Sequence, residues 1–137
     1  MPEIQDLSSI FGEPIHVHTR AEALADGALR DAGELAAEAG FKHPVALTAA
    51  AWADAVAWDH DDASQDETGR LWDVLYMALC AIRRAIANGA NSGPLAYTLF
   101  RVTAPDTPPT RTALVINLGP GDNGEPVFTI GLAPQSR

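Results

Sequence analysis

Residues 68–87 carry the strongest folding signal in the chain. Leu71, Val74, Leu75, Ala78, Leu79, Ile82 and Ile86 recur at the i, i+3, i+4, i+7 spacing of one helical face. Arg83 and Arg84 fall in the last turns, where cations suit the helix dipole, and Asn88-Gly89 supplies the stop. A helix with one apolar stripe is stable only against another apolar layer. The segments after it read as that layer. Leu95–Ala104 is a strand apolar on both faces, with Leu95, Tyr97 and Leu99 on one and Phe100 and Val102 on the other, which predicts a central position. Residues 111–118 alternate with Leu114, Ile116 and Leu118 inward, and residues 127–132 alternate with Phe128, Ile130 and Leu132 inward. Asn123-Gly124 between them is a hairpin signal.

The first half reads as short capped pieces. Ile15–His18 follows Pro14 and reads as a brief strand. Thr19-Arg20-Ala21-Glu22 matches a capping box, with a helix over about 20–26 and Gly27 as its left-handed stop. Asp31 to Glu34 repeats the pattern more weakly, for a helix through Ala39 ended by Gly40, with Phe41 folding back. Thr48 caps a third helix over about 49–57. The expected fold is α+β: an antiparallel sheet of three or four strands packed on the long helix, with several short N-terminal helices. The 137 residues make one domain, with residues 1–10 as a flexible lead-in.

Charge divides the chain in the same place. Residues 1–69 hold 14 acids and 3 bases, a net of −11, and residues 70–137 hold 4 acids and 6 bases, a net of +2. This balance argues against direct binding to a nucleic-acid backbone, which calls for clustered Lys and Arg. The single Cys80 excludes an intrachain disulfide and a multi-cysteine zinc site, and fits a cytoplasmic setting. No apolar run approaches the ~18 residues of a membrane span. No cofactor motif is present.

The densest polar cluster is the loop from Trp58 to Glu67, with carboxylates at Asp59, Asp61, Asp62, Asp66 and Glu67. Counted from Asp59, a calcium loop needs Gly at the sixth place and Glu at the twelfth; Ser64 and Arg70 stand there. The plainer reading is a solvated loop whose last acids start the following helix. Trp58 beside those acids has the make-up of an aromatic anchor with a charged rim. His16 and His18 share a strand face, and with Arg20 they form an alternative ligand site beside a capped helix start. Cys80 sits mid-helix, where a packing role outweighs a nucleophilic one. The turn Gly119–Gly124 lacks the Lys-Ser/Thr end of a phosphate loop. Trp72, Tyr76 and Arg83 form an aromatic side to the long helix, and a homodimer through it is one further outcome.

Several segments taken together resemble a known family. They are Ile10-Phe11-Gly12-Glu13-Pro14-Ile15, Thr19 to Gly27, Asp66 to Leu75, and Gly119-Pro120-Gly121-Asp122-Asn123-Gly124-Glu125-Pro126-Val127. The chain resembles small bacterial proteins of unassigned function carried by plasmids and phages. That resemblance implies a mobile-element setting and an action on host machinery, including defence systems. Relatives carry Tyr where His18 stands, which argues against a histidine mechanism there. The leading expectation is therefore a non-enzymatic protein. Its partner-binding residues are Trp58, Asp59, Asp61, Asp62, Asp66 and Glu67, and its partner is a larger protein with a basic surface. An anti-CRISPR or anti-restriction inhibitor is the sharper form of that expectation.

Overall fold

The computed structural model describes residues 19–61, 64–90 and 93–134. The expected strand at 15–18, with His16 and His18, lies outside them, as do Asp62 and residues 1–10.

The described residues form four helices and five strands. In chain order these are α1 (Arg20–Asp26), β1 (Leu29–Asp31), α2 (Glu34–Ala39), β2 (Val45–Thr48), α3 (Ala49–Ala55), α4 (Glu67–Ala87), β3 (Leu95–Arg101), β4 (Thr110–Pro120) and β5 (Pro126–Leu132). The capping signals at Thr19, Thr48 and Asp66 hold, while the weaker one at Asp31 does not: Gly33 is the N-cap of α2 with no side-chain bond, and Asp31 accepts from the Gly33 amide in the turn before it. The Thr19 hydroxyl accepts from the Glu22 amide at 3.0 Å, and the Glu22 carboxylate accepts from the Thr19 amide at 3.1 Å. Thr48 accepts from the Ala51 amide, and Asp66 accepts from the Gly69 amide. Each satisfies a helix-start N–H that has no partner within its own helix. Gly40 ends α2 at φ 125°, and a side chain there would drive a carbon to 2.8 Å from Leu79 Cδ2. This lets α2 lie close against α4.

The sheet is mixed, not purely antiparallel. Its order is β1-β2-β5-β4-β3, and β2 runs parallel to β5, with Val45 opposite Phe128 and Leu47 opposite Ile130. The meander β3-β4-β5 stands as expected, but β1 and β2 extend it beyond β5. Sequence reading missed both strands for a physical reason. β1 has three residues, and β2 buries Val45, Ala46 and Leu47 in a row, so it shows no alternation. β3 is an edge strand and not central. Its second face is open, and Phe100 is 67% exposed.

α4 covers one face of the sheet. Leu71, Val74, Leu75, Ala78 and Leu79 meet Val45, Leu47, Leu99, Leu114, Ile116 and Ile130 in one core. Burial of this stripe is what holds the two layers together. The contact ends before the last turn of α4. Leu132, opposite Leu114 at the far end of β5, is exposed although its alternation points inward, and at the last turn of α4 Ile86 is 64% exposed and Leu118 is exposed too. The two layers part at that end, leaving a cleft of about 350 Å³ among Ile82, Ile86, Leu95, Ile116, Leu118 and Phe128. No helix among the described residues is long and apolar enough to cross a membrane.

Candidate interaction surface

The acid-rich loop is organised from inside by an arginine. Arg70 stands in the first turn of α4 and is buried. Its Nε donates to the Val56 carbonyl at 2.8 Å, and its Nη1 donates to Gln65 Oε1 at 3.1 Å and to the Val102 carbonyl at 2.8 Å. One guanidinium thus fastens the start of the loop, its end and the residue after β3 together. Burial, and next the nearby Arg101 charge, lower the Arg70 pKa, while Glu67, Asp54 and Asp73 act to raise it.

Around this centre the carboxylates divide by task. Asp66 caps α4, and Glu67 Oε2 accepts from the Trp58 amide at 3.0 Å. Trp58 packs over the Arg70 guanidinium at 5.2 Å and edge-on to His60 at 4.7 Å. His60 Nε2 lies 3.1 Å from the Thr103 carbonyl. The Trp58 ring is therefore half-buried within its own loop. Asp59 and Asp61 face solvent, and the Asp59 side chain is 98% exposed. The structure sets Trp58 and Glu67 beside Arg70, makes Asp66 a helix cap and leaves Asp59 and Asp61 at the surface.

A second buried arginine ties this loop to β3. Arg101 Nη1 donates to the Ala55 and Arg70 carbonyls, and its Nη2 meets Asp73 at 3.1 Å. Sequence reading missed both arginines, although each left a signal. A cation in a first turn opposes the helix dipole, so Arg70 needs another reason to be there. Arg101 continues the inward-facing alternation of Leu95, Tyr97 and Leu99.

Arg20, the described member of the alternative ligand site, is engaged within the fold. Its guanidinium donates to Thr129 Oγ1 at 2.9 Å and to the Phe128 carbonyl at 2.8 Å. The start of α1 is held by Asp122 from the β4–β5 turn, whose carboxylate accepts from the Arg20 amide at 2.6 Å and the Ala21 amide at 3.0 Å. The glycine-rich turn therefore presents its own anion to that helix start. Among the described residues no group of three or more His, Cys, Asp and Glu side chains is placed to hold a metal ion.

Strand order sets part of the acidic first half on one side of the sheet. β1 and β2, with α1, α2 and α3 around them, make one side of the sheet, and β4 and β3 make the other. The first side presents exposed carboxylates at Glu22, Asp26, Asp31, Glu34 and Glu38, while the acid-rich loop with Asp59 and Asp61 lies against Val102 and Thr103, next to the end of β3.

This fold defines a small α+β protein with a five-stranded mixed sheet. The chain belongs to the Family of unknown function (DUF6573), which it matches over residues 10–136. No curated protein and no solved structure matches it.

Proposed function

We propose that this protein is a non-enzymatic interaction module whose exposed carboxylates engage a basic surface on a larger protein. The observation that supports this reading most is the number of exposed carboxylates around β1 and β2 and in the Trp58–Glu67 loop, with Arg30, Lys42 and Arg83 as the exposed cations beside them. Arg30 is itself stacked 4.2 Å over the Trp52 ring. Such an excess of one sign steers association and fixes orientation toward a surface of opposite sign. The sharper form of the proposal follows from the same chemistry. A basic channel built for nucleic acid, as in a host defence nuclease, is a surface that a carboxylate array can occupy. In this form the protein is an anti-defence inhibitor of mobile-element origin.

Titrating the protein against basic nucleic-acid-binding proteins over a salt series tests the reading. Affinity should fall steeply with added salt, and the Asp59→Asn/Asp61→Asn variant should bind several-fold more weakly. Salt-independent binding, or binding indifferent to those two changes, defeats the electrostatic account.

A further inference from the structure

The other side of the molecule carries a different surface. β3 is seven residues long, lies at the edge of the sheet and holds no proline or lysine to blunt that edge. Among the described residues nothing pairs with its outer side. Its open face presents Ala96, Thr98 and Phe100. An unblunted apolar edge of this kind is a template for another strand.

α4 runs beside β3 in the opposite direction. The Tyr97 hydroxyl donates to the Val74 carbonyl, and Asp73 meets Arg101, while Arg84 and Asn88 lie with Leu95 and Ala96 around a hollow of about 600 Å³. The helix therefore shows the β3 edge a row at four-, three- and four-residue steps: Asp73, Met77, Cys80, Arg84. This row is self-complementary. When a second copy is turned end for end, Asp73 falls opposite Arg84 and Met77 opposite Cys80. The strand has the same symmetry about Thr98. Pairing β3 antiparallel with itself sets Ala96 against Phe100 and Leu95 against Arg101. The two centres are neighbours, since Met77 and Cys80 line the hollow together with Tyr97 and Thr98.

We infer that the occupant of this edge is a second copy of the chain. The two β3 strands pair antiparallel about Thr98, joining the two sheets into one of ten strands from the described residues. The two α4 helices lie side by side, with Asp73 of each facing Arg84 of the other. Charge complementarity selects a second copy over an arbitrary strand. A helix row with opposite charges at its two ends and apolar side chains between is matched by its own reverse. Phe100 is covered in the pairing by the small Ala96 beside it. The edge lies across the sheet from the carboxylates around β1 and β2, so the dimer presents those outward, while the Asp59–Asp61 loop stays beside the end of β3.

Sedimentation velocity over a protomer concentration series reads the proposal directly. The wild-type chain should sediment at twice 14.5 kDa. Thr98→Lys places two ammonium groups at the symmetry axis and should give a monomer with an unchanged circular dichroism spectrum. Arg84→Glu sets like charges opposite Asp73 and should weaken the dimer about tenfold. In a Cys80→Ala background, Thr98→Cys should form a disulfide dimer on mild oxidation, whereas Asn117→Cys on the same sheet face should not. A wild-type monomer throughout the series overturns the proposal. So does a dimer that survives Thr98→Lys, because its contacts then lie elsewhere, such as the stacked Trp72 and Tyr76.

Discussion

β1 gives the sheet an edge of three residues, two of them charged, while β3 gives it an edge of seven whose only charge turns inward. The fastenings behind the two edges also differ. Behind β3 they are buried: Arg101, Tyr97 and Arg70 bond to main-chain carbonyls under the sheet. Around β1 they lie on the surface. Asp26 and Asp31 hold turn amides, and Asp122 holds α1. An edge secured from beneath can keep its outer side open without fraying. An edge secured by exposed side chains is shortened and charged, which blunts it against other strands.

This contrast can be broken, and the largest effect belongs to the buried side. Arg70→Met leaves the Val56 and Val102 carbonyls without their donor and should cost about 2–4 kcal/mol in urea unfolding. Loss of less than about 1 kcal/mol would mean that water replaces the guanidinium and that the β3 side is not internally secured. Asp122→Ala removes two charge-assisted bonds from α1 and should cost about 1–2 kcal/mol. Its signature is faster amide exchange in α1 and β1, with protection in β3 and β4 unchanged. Exchange that rises equally in β3 would show that the two sides do not unfold separately.

Tyr97→Phe is the finest probe. Losing one bond to the Val74 carbonyl should cost about 1 kcal/mol at neutral pH. Burial raises the Tyr97 pKa, with Arg101 opposing. The folded phenol therefore keeps its proton while the unfolded one ionises from about pH 10 upward. The stability tied to it is complete below that pH and is lost as pH rises further. The Phe variant should lose stability less steeply than wild type above pH 10, and identical slopes would remove Tyr97 from the account.

Local signals were legible in the sequence and long-range ones were not. The capping box at Thr19, the cap at Thr48 and the stops at Gly27 and Gly40 depend on neighbours within a few residues, and each stands where it was read. The apolar stripe of α4 was legible for the same reason, except at Ile86, where the layers part. The parallel partnership of β2 and β5 joins segments far apart in the chain, and β2 is too short and too buried to alternate. It was therefore invisible, and with it the edge position of β3. In the acidic loop the charges were legible, and so was the helix start supplied by the last acids, but the closure of the loop from inside was not. Asp66 caps α4 and Glu67 holds the Trp58 amide, and Arg70 is the buried centre on which the loop closes.

The parallel pairing bears on the order of assembly. β5 comes last of the strands in the chain and lies in the middle of the sheet. β3, β4 and β5 can zip together through short connections, but β2 must wait for a partner roughly 80 residues downstream. Until β5 arrives, β1 and β2 have no sheet to join. The carboxylates around β1 and β2 therefore take their places as a surface only through contacts that span most of the chain.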